Sequence, residues 1–428
     1  MQRIVIVGGG AGGLELATQL GRKLGRKKKA DIVLIDATPT HLWKPLLHEV
    51  ATGALDSGID ELNYRAHGKK HGFHFQIGRM SGLNREKKSL VLEAMLDDEG
   101  KEVLPERTVD YDTLVIALGS VTNDFGTKGA AENCIFLDSR DQAERFHKLL
   151  LNEFLRCSNL EEPRPLEVAI VGAGATGVEL SAELYNTAEV MASYGLKNVS
   201  PEQLKVRLIE AGERILPALP PRLSAAATRE LESLGVEVMT STMITEVTDS
   251  GFVNKSGEHI PAVIRVWAAG VKAPEFMREL GLETNRANQL VVNNSLQTED
   301  DSIFALGDCC SVIDKATGKP VPPRAQAAHQ QSSHLVKALS ARHKAKAMPE
   351  FVYKDKGSLV SLSRYSTVGS LMGNLTKGSM MIEGRLARLV YVSLYRLHQV
   401  ALHGYWHTLL LTLVGHINKV IRPRLKLH

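Results

Sequence analysis

The sequence predicts an α/β protein with two doubly wound parallel sheets, one carried on a segment inserted into the other, and an amphipathic helical tail. Three observations predict this. A glycine-rich turn joins a strand pattern to a helix pattern at residues 3–20, the same device returns at 167–184, and residues 384–428 are leucine-rich and free of acid.

Residues 3–13 read RIVIVGGGAGG. The run Ile4 to Val7 is continuous enough for a strand buried on both faces. It ends in G-x-G-x-x-G at Gly8, Gly10 and Gly13, and LELATQL then follows a helical pattern. After a basic turn, DIVLIDA predicts a second strand ending in Asp36, 23 residues past Gly13. Strand, glycine turn, helix and acid in that order form the dinucleotide fingerprint. The glycines let backbone approach a pyrophosphate, the helix N-terminus offers it N–H groups, and Asp36 is placed to accept from a ribose hydroxyl.

The second copy, EVAIVGAGATGVELSAEL, carries Gly172, Gly174 and Gly177, and its acid is Glu210, 33 residues past Gly177. The surplus over the usual spacing of about 20 residues reads as an extended helix end and loop around VMASYGLKNVSPEQ. Glu210 favours a free 2′-hydroxyl and so NAD. Arg207 and Arg214 lie close by, and an arginine can accommodate a 2′-phosphate, so NADP stays open. Two fingerprints imply two dinucleotides, and a flavin with a nicotinamide makes a working pair because hydride passes between them. Two further short apolar strands ending in glycine turns, YDTLVIALGS at 111–120 and SIFALGDC at 302–309, flank the second fingerprint. That order suggests a nicotinamide domain inserted into a flavin domain.

Composition sets the bounds. A chain of 428 residues holds two or three domains, and 43% hydrophobic with 23% charged is ordinary for a globular protein. The net charge of +4 is uneven: residues 384–428 carry seven Lys or Arg and no acid, which leaves the first 383 residues at −3. Such a tail suits an anionic surface. Cys134, Cys157, Cys309 and Cys310 form no C-x-x-C or zinc spacing, which fits a reducing compartment and structural thiols. No secretory signal is expected, no run approaches 18 apolar residues, and no solenoid repeat is present. The tail histidines (His398, His403, His407, His416, His428) are joined by no acid or cysteine, so no metal is expected.

Fingerprint, TLVIALGS, second fingerprint, VWAAG (266–270) and FALGDC occur in the order found in the two-dinucleotide flavoprotein disulfide reductase superfamily, which this chain resembles. The resemblance implies FAD on the first fingerprint, with Asp308 bonded to the ribityl chain, and NADH on the second. It sets Gly119 against the flavin and Gly270 on the nicotinamide side. Disulfide, peroxide and coenzyme A disulfide reductases need cysteine in the stretch HLWKPLLHEVATG (41–53), and none is there. Adjacent Cys309 and Cys310 pair only in a strained ring and read as small buried residues. Downstream, VPPRAQAAHQQSSHLVKALSA starts a helix near Arg324, and Ala325–Gln330 matches the A-Q-x-A-x-Q pattern of type II NADH:quinone oxidoreductases. EAGERILPALPPR, STVGSLMGNLTKGSMMIEGR and the terminal IRPRLKLH are also similar to the bacterial respiratory members of that family.

This resemblance implies FAD-dependent oxidation of NADH with reduction of a membrane quinone to quinol, without proton pumping. It names Glu179 and Gln326 as catalytic, and Gln326 with Gln330 as quinone contacts. FAD contacts are implied for Gly8, Gly10, Ala11, Gly12, Gly13, Asp36, Ala37, Lys44, Met80, Ala117, Gly119, Gly307, Asp308 and Ala327. NADH contacts are implied for Gly172, Gly174, Thr176, Gly177, Glu210, Ala269 and Gly270. Met80 stands where the family usually has a small apolar residue against the adenine. The expected domains are FAD-binding at 1–123 and 290–383, NAD-binding at 124–289, and a membrane-association region at 384–428. The family often forms homodimers. Two other readings use the same chain: a soluble reductase for ferredoxin or another small acceptor, and a nucleotide sensor whose basic tail grips nucleic acid. A nucleic-acid tail should be polar and lysine-rich, whereas this tail is apolar on one side.

At 3.6 residues per turn, Leu402, Tyr405, Trp406, Leu409, Leu410, Leu413, Val414, Ile417, Val420 and Ile421 fall on one stripe, opposite His403, His407, Thr408, Thr412, His416, Lys419 and Arg422. Pro423 should end the helix. A similar stripe at 386–397 sets Leu386, Leu389, Val390, Leu394 and Leu397 against Arg385, Arg388 and Arg396. The aromatic pair, the absence of acid and the basic end favour a helix lying in the plane of a membrane, and the resemblance implies the cytoplasmic face of the inner membrane.

Overall fold

A computed structural model of the chain describes all residues except 57–60, 363–365, 373–378, 422–424 and 426–428. The principal elements, numbered in chain order, begin with β1 (Gln2–Val7), α1 (Ala11–Leu20), β2 (Ala30–Asp36), α2 (Leu47–Thr52), β3 (His74–Ile77) and β4 (Thr113–Ile116). Then come β5 (Leu166–Val171), α3 (Ala175–Ser193), β6 (Leu204–Ile209), β7 (Glu237–Met239), β8 (Ile264–Trp267) and β9 (Ile303–Ala305). The chain closes with α4 (Ala325–Arg342), β10 (Gly357–Leu362), β11 (Ser366–Met372), β12 (Ser379–Glu383), α5 (Gly384–His403) and α6 (Tyr405–Ile421).

Packing divides these into two compact units. Met1–Trp43, Glu61–Val121 and Val271–Lys354 form the first, and Lys44–Asp60, Thr122–Gly270 and Asp355–His428 form the second. The second fingerprint therefore lies on a chain segment inserted within the first unit, the order the sequence predicts. The units part from the sequence-drawn boundaries in four places: 44–60, 122–123 and 355–383 pack with the second unit, and 271–289 with the first.

In the first unit a five-stranded parallel sheet runs β9-β4-β1-β2-β3. Its central strand carries Ile4–Val7 at no more than 1% exposure, because a strand covered on both faces excludes water from every side chain. The second unit repeats the plan with four parallel strands, β7-β6-β5-β8. Each central strand ends at the same point of the device. Val7 pairs with Ile35 and Ile116, Val171 pairs with Ile209 and Trp267, and the first glycine follows at once. The surplus before Glu210 is a 19-residue α3 followed by a turn and a short 3₁₀ segment at Pro201–Gln203, as its sequence suggests.

Beyond this sheet the second unit holds the antiparallel β10-β11-β12 and then α5 and α6. The tail helix starts later than the stripe at Leu402 suggests. Gly404 takes φ +83, a left-handed break, and Leu402 is left 2% exposed at the end of α5. Along α6, Tyr405, Trp406, Leu409, Leu410, Leu413, Val414, Ile417 and Ile421 are all 48–80% exposed, and Leu411 joins them at 43%. Thr408, on the side opposite the stripe, is 5% exposed. Its hydroxyl donates to the Gly404 carbonyl at 2.9 Å, and the Thr412 hydroxyl donates to the Thr408 carbonyl at 2.7 Å. A hydroxyl satisfied by its own helix can be buried at little cost, so the stripe is free to face outward. In the stripe at 386–397 only Leu397 has a described side chain, 51% exposed. The expected stop at Pro423 lies outside the described residues. Among the described residues no helix is long and apolar enough to cross a membrane.

Candidate dinucleotide and redox site

The two fingerprints fold alike down to single contacts. Gly8 (φ +104) and Gly172 (φ +101) take a backbone conformation that side chains resist, and a Cβ on either would lie 2.2 Å from the Ala117 carbonyl oxygen or 2.5 Å from the Ala269 nitrogen. At Gly13 and Gly177 a Cβ would come within 1.9 and 2.0 Å of the carbonyl oxygens of Gly8 and Gly172. These glycines let the helix start press against the strand end. Gly10 and Gly174 differ, because a Cβ there would meet nothing within 4 Å. That open space stands at the N-termini of α1 and α3, neither of which carries a side-chain cap or an acid in its first turn. Their first-turn N–H groups and dipole ends suit an anionic ligand. A pyrophosphate on each device fits these residues.

The two acids close the devices. Asp36 accepts the Gly9 N–H at 2.6 Å and, on its other oxygen, the Thr38 N–H and hydroxyl at 2.9 and 2.7 Å. Glu210 accepts the Ala173 N–H at 3.0 Å and the Gly212 N–H at 2.8 Å. A carboxylate has about four acceptor sites, so each keeps capacity for a ribose hydroxyl. The Gly9 carbonyl accepts from the Tyr64 hydroxyl at 2.8 Å and lies 3.0 Å from the His41 ring, while the Ala173 carbonyl accepts the Leu216 N–H at 2.8 Å. The two arginines near Glu210 are committed elsewhere. Arg207 bonds Glu167, Glu237 and the Pro261 carbonyl, and Arg214 bonds the carbonyls of Pro217 and Leu219.

The other first-unit candidates gather at strand ends. Ala117 follows β4 and donates its N–H to the Val7 carbonyl, and Gly119 turns the chain at φ +71. The Ser120 hydroxyl donates to Asp308 at 2.9 Å, and the Gly307 N–H donates to Gln331 at 2.7 Å. Gly12 sits against Leu306 and Ala328, beside buried Ala327. Ala11 is in the first turn of α1, Ala37 is exposed just past β2, and Met80 is 2% exposed. In the second unit Thr176 is exposed on the first turn of α3, Ala269 follows β8, and Gly270 (φ +66) faces the Phe125 ring. Lys44 belongs to this unit as well, 3.4 Å from Asp138.

Gln326 is half-buried in the first turn of α4. Gln330 is a brace: its amide donates to the Lys354 carbonyl at 2.9 Å and accepts the Lys354 N–H at 3.0 Å. Glu179, 7% exposed, accepts the Ser361 N–H at 3.0 Å and stands 3.6 Å from the His48 ring. That distance is too long for a hydrogen bond. Burial holds His48 neutral, lowering its pKa to about 4 against the opposing Pro45 carbonyl.

A residue pair that sequence reasoning missed lies in the first unit. Glu15, 1% exposed on α1, meets the His329 ring of α4 at 2.6 Å. The signal was present: Gly13-Leu14-Glu15-Leu16 and Gly177-Val178-Glu179-Leu180 place an acid two residues past the third glycine in both copies. The four cysteines are free thiols. Burial pushes Cys309 up to about 12, and Cys310 is raised as well. Thiols that stay protonated are poor redox nucleophiles, so they read as the buried residues expected.

Fold and site together define a two-dinucleotide oxidoreductase without a reactive cysteine. Residues 2–332 match the family described as pyridine nucleotide-disulphide oxidoreductase. A type II NADH:quinone oxidoreductase of Haemophilus influenzae is 50% identical over the whole of both chains. The NDH2 of Plasmodium falciparum, solved in complex with NADH, superposes with a TM-score of 0.83 at 21% identity, covering 99% of this chain and 100% of that one. A ferredoxin reductase from Rhodopseudomonas palustris shares the fold with a TM-score of 0.66 at 20% identity, covering 87% of this chain and 82% of that one. The chain belongs to the type II NADH:quinone oxidoreductases, within the pyridine nucleotide-disulphide oxidoreductase family.

Two predictions come from this geometry. Gly177→Ala drives a methyl into the Gly172 carbonyl and should cost about 1–3 kcal/mol of stability, read as a lower denaturant midpoint. Gly174→Ala should leave that midpoint in place while weakening NADH binding on the order of tenfold; an unchanged NADH titration would remove the pyrophosphate from that space. His48 gives a pH dependence. Between pH 6.5 and about 4 the unfolded chain binds a proton that the folded chain refuses, so stability falls as pH falls through that window, by on the order of 3 kcal/mol. Urea denaturation of wild type and His48→Gln at pH 7 and 4.5 checks this, and the variant should show a flatter dependence.

Proposed function

We propose that this protein oxidises NADH and passes two electrons through FAD to a membrane quinone, forming quinol without translocating protons. The observation that carries this reading is the duplicated dinucleotide device, with Asp36 and Glu210 each bracing a glycine loop and keeping acceptor capacity for a ribose hydroxyl. The first device takes FAD, held by Asp36, the α1 N-terminus, and Asp308 beside Ser120. The second takes NADH, and the commitment of Arg207 and Arg214 to other partners favours NADH over NADPH. The flavin, when bound, supplies the chemistry of accepting hydride and passing two electrons on. Glu179 is held by Ser361 at the base of the nicotinamide device, where its carboxylate positions substrate or relays a proton. Gln326, at the start of α4, contacts flavin and quinone, and Gln330, which also fixes that helix to the Lys354 peptide, is a second quinone contact. The first compact unit is accordingly the FAD-binding one and the second the NAD-binding one, with 384–428 as the docking region. The A-Q-x-A-x-Q helix and the outward apolar face of α6 favour a lipid-dissolved quinone over ferredoxin. The docking face is the cytoplasmic leaflet of the inner membrane. No nucleic acid is involved, and a homodimer suits the family.

Anaerobic mixing tests the reading. NADH should bleach the yellow protein and a quinone should restore the colour; bleaching without reoxidation by quinone would leave the soluble-reductase reading. Glu179→Gln should cut quinone turnover by at least about tenfold, a barrier change near 1.4 kcal/mol, with flavin content kept. Gln326→Ala should raise the quinone requirement and spare flavin bleaching; equal damage to both half-reactions would sink that role. Deleting residues 402–428 removes the outward face of α6 and basic residues worth about 1 kcal/mol each near anionic lipid. The truncated protein should no longer sediment with anionic vesicles, and persistent binding would put the anchor elsewhere.

A further inference from the structure

Quinone reduction needs a proton taken up from solvent, and Glu179, 7% exposed beside a histidine held neutral by burial, is poorly placed to draw one in. NADH gives up one C–H bond, delivering two electrons and one proton as hydride. Quinol forms by making two O–H bonds with two electrons and two protons. The balance, NADH + H⁺ + Q → NAD⁺ + QH₂, requires one proton from water in each turnover.

We propose that His329 delivers this proton and that Glu15 is its positioning residue. The inference rests on the reading of Gln326 as a quinone contact. His329 stands three residues past Gln326 on α4, so the two side chains share a helix face. Its side chain is 37% exposed, which lets the ring take up a proton from solvent. One ring nitrogen, Nδ1, lies 2.6 Å from a Glu15 carboxylate oxygen. With Nδ1–H donating to that carboxylate, the second nitrogen carries the mobile proton: its N–H breaks as the quinone O–H forms, and solvent then replaces it. An acid behind an imidazole fixes its tautomer and stabilises the imidazolium, the logic of the serine-protease triad.

Burial argues that this acid is placed for a purpose. Glu15 is 1% exposed, and a carboxylate taken out of water is costly unless it is paired and hydrogen-bonded. It is the sole ionisable side chain of α1, in a helix otherwise built of small and apolar residues with Thr and Gln. The closeness of the two helices at this level comes from Gly12, whose missing Cβ leaves room for Ala328, the residue before His329. The second fingerprint repeats the arrangement, since Glu179 occupies the equivalent position with His48 at 3.6 Å. There the histidine is 4% exposed and held neutral, whereas His329 is open to solvent. Only the first-unit pair is built to exchange protons with water. The other charged or titratable groups of the elements around it are His334, Lys337 and Arg342 on α4, Arg324 at its N-cap, Asp308 before that helix, and Lys354 beside Gln330. The His334 ring packs edge-on against Phe351, so it is engaged elsewhere.

Two electron acceptors separate proton delivery from electron delivery. The full-length flavin-loaded protein is reduced anaerobically with NADH and mixed with ubiquinone-1, which needs protons, or with ferricyanide, which needs none. His329→Gln should slow reoxidation by ubiquinone-1 at least tenfold, Glu15→Gln severalfold, and neither should slow ferricyanide comparably. Imidazole in the buffer should restore part of the quinone rate to His329→Gly. In wild type the quinone step should carry a solvent deuterium isotope effect. Independently of turnover, proton NMR of ring-labelled histidine should show a strongly deshielded Nδ1–H that vanishes in Glu15→Gln. Equal slowing with both acceptors would mean a structural role and overturn the proposal, as would an unchanged quinone rate in His329→Gln or absence of the Nδ1–H signal. If wild type is reoxidised by ferricyanide but not by ubiquinone-1, it is the quinone reading that fails, and the proton demand falls with it.

Discussion

One hydrogen bond, made twice, organises this protein: a carboxylate at the end of the second strand accepting the N–H of the residue after the first fingerprint glycine. Asp36 grips Gly9 and Glu210 grips Ala173. The bond ties strand end to glycine turn, and the turn in turn fixes where the helix starts. With the carbonyls of Gly9 and Ala173 also held, the loop peptide cannot rotate. The open spaces at Gly10 and Gly174 then face uncapped helix N-termini as fixed features of the fold. A ligand pyrophosphate meets a surface that is already organised, and little ordering cost falls on binding. The same acids therefore serve stability before any nucleotide arrives.

The tail obeys a different constraint. Burying an apolar stripe is the ordinary way to stabilise a helix, and the sequence of α6 invites that solution. The structure turns the stripe outward and buries Thr408, whose hydroxyl is satisfied within the helix. Eight large apolar side chains at 48–80% exposure are costly in water. That cost is recovered only where another apolar phase covers them, and a bilayer interface with anionic headgroups matches both the stripe and the acid-free charge around it.

Much of this was legible in the chain itself. β-branched runs ending in spaced glycines specify strand, turn and helix with almost no tertiary help, because Gly8, Gly13, Gly172 and Gly177 meet backbone atoms from their own device or its neighbouring strand. The nesting of one sheet in the other could be read from the order of the strands alone. Periodicity and the aromatic pair also gave the outward stripe of α6; what could not be read was that Thr408 is the residue buried beneath it, because that depends on what α6 packs against. Gln330 illustrates the same limit. Its place in a motif suggests a quinone contact, but the bonds it also makes to the Lys354 peptide, 24 residues away in sequence, could not be read from that motif. Glu15 was overlooked for the opposite reason. An acid inside a dinucleotide helix looks like a surface residue until a second helix arrives to cover it.

The repetition of that acid bears on how the two devices came to differ. The backbone geometry of the copies is nearly interchangeable, so the divergence lies in what each buried glutamate meets. Glu179 meets a backbone N–H and a histidine kept neutral by burial, an environment without ready access to water. Glu15 meets a histidine with more than a third of its side chain in solvent. Hydride leaving NADH carries its own proton and is harmed by stray water, whereas quinone must draw a proton from outside. A dry acid on the nucleotide that donates and a wet pair on the flavin that delivers would let one supersecondary unit serve both halves of the reaction, with exposure of a single imidazole setting the difference.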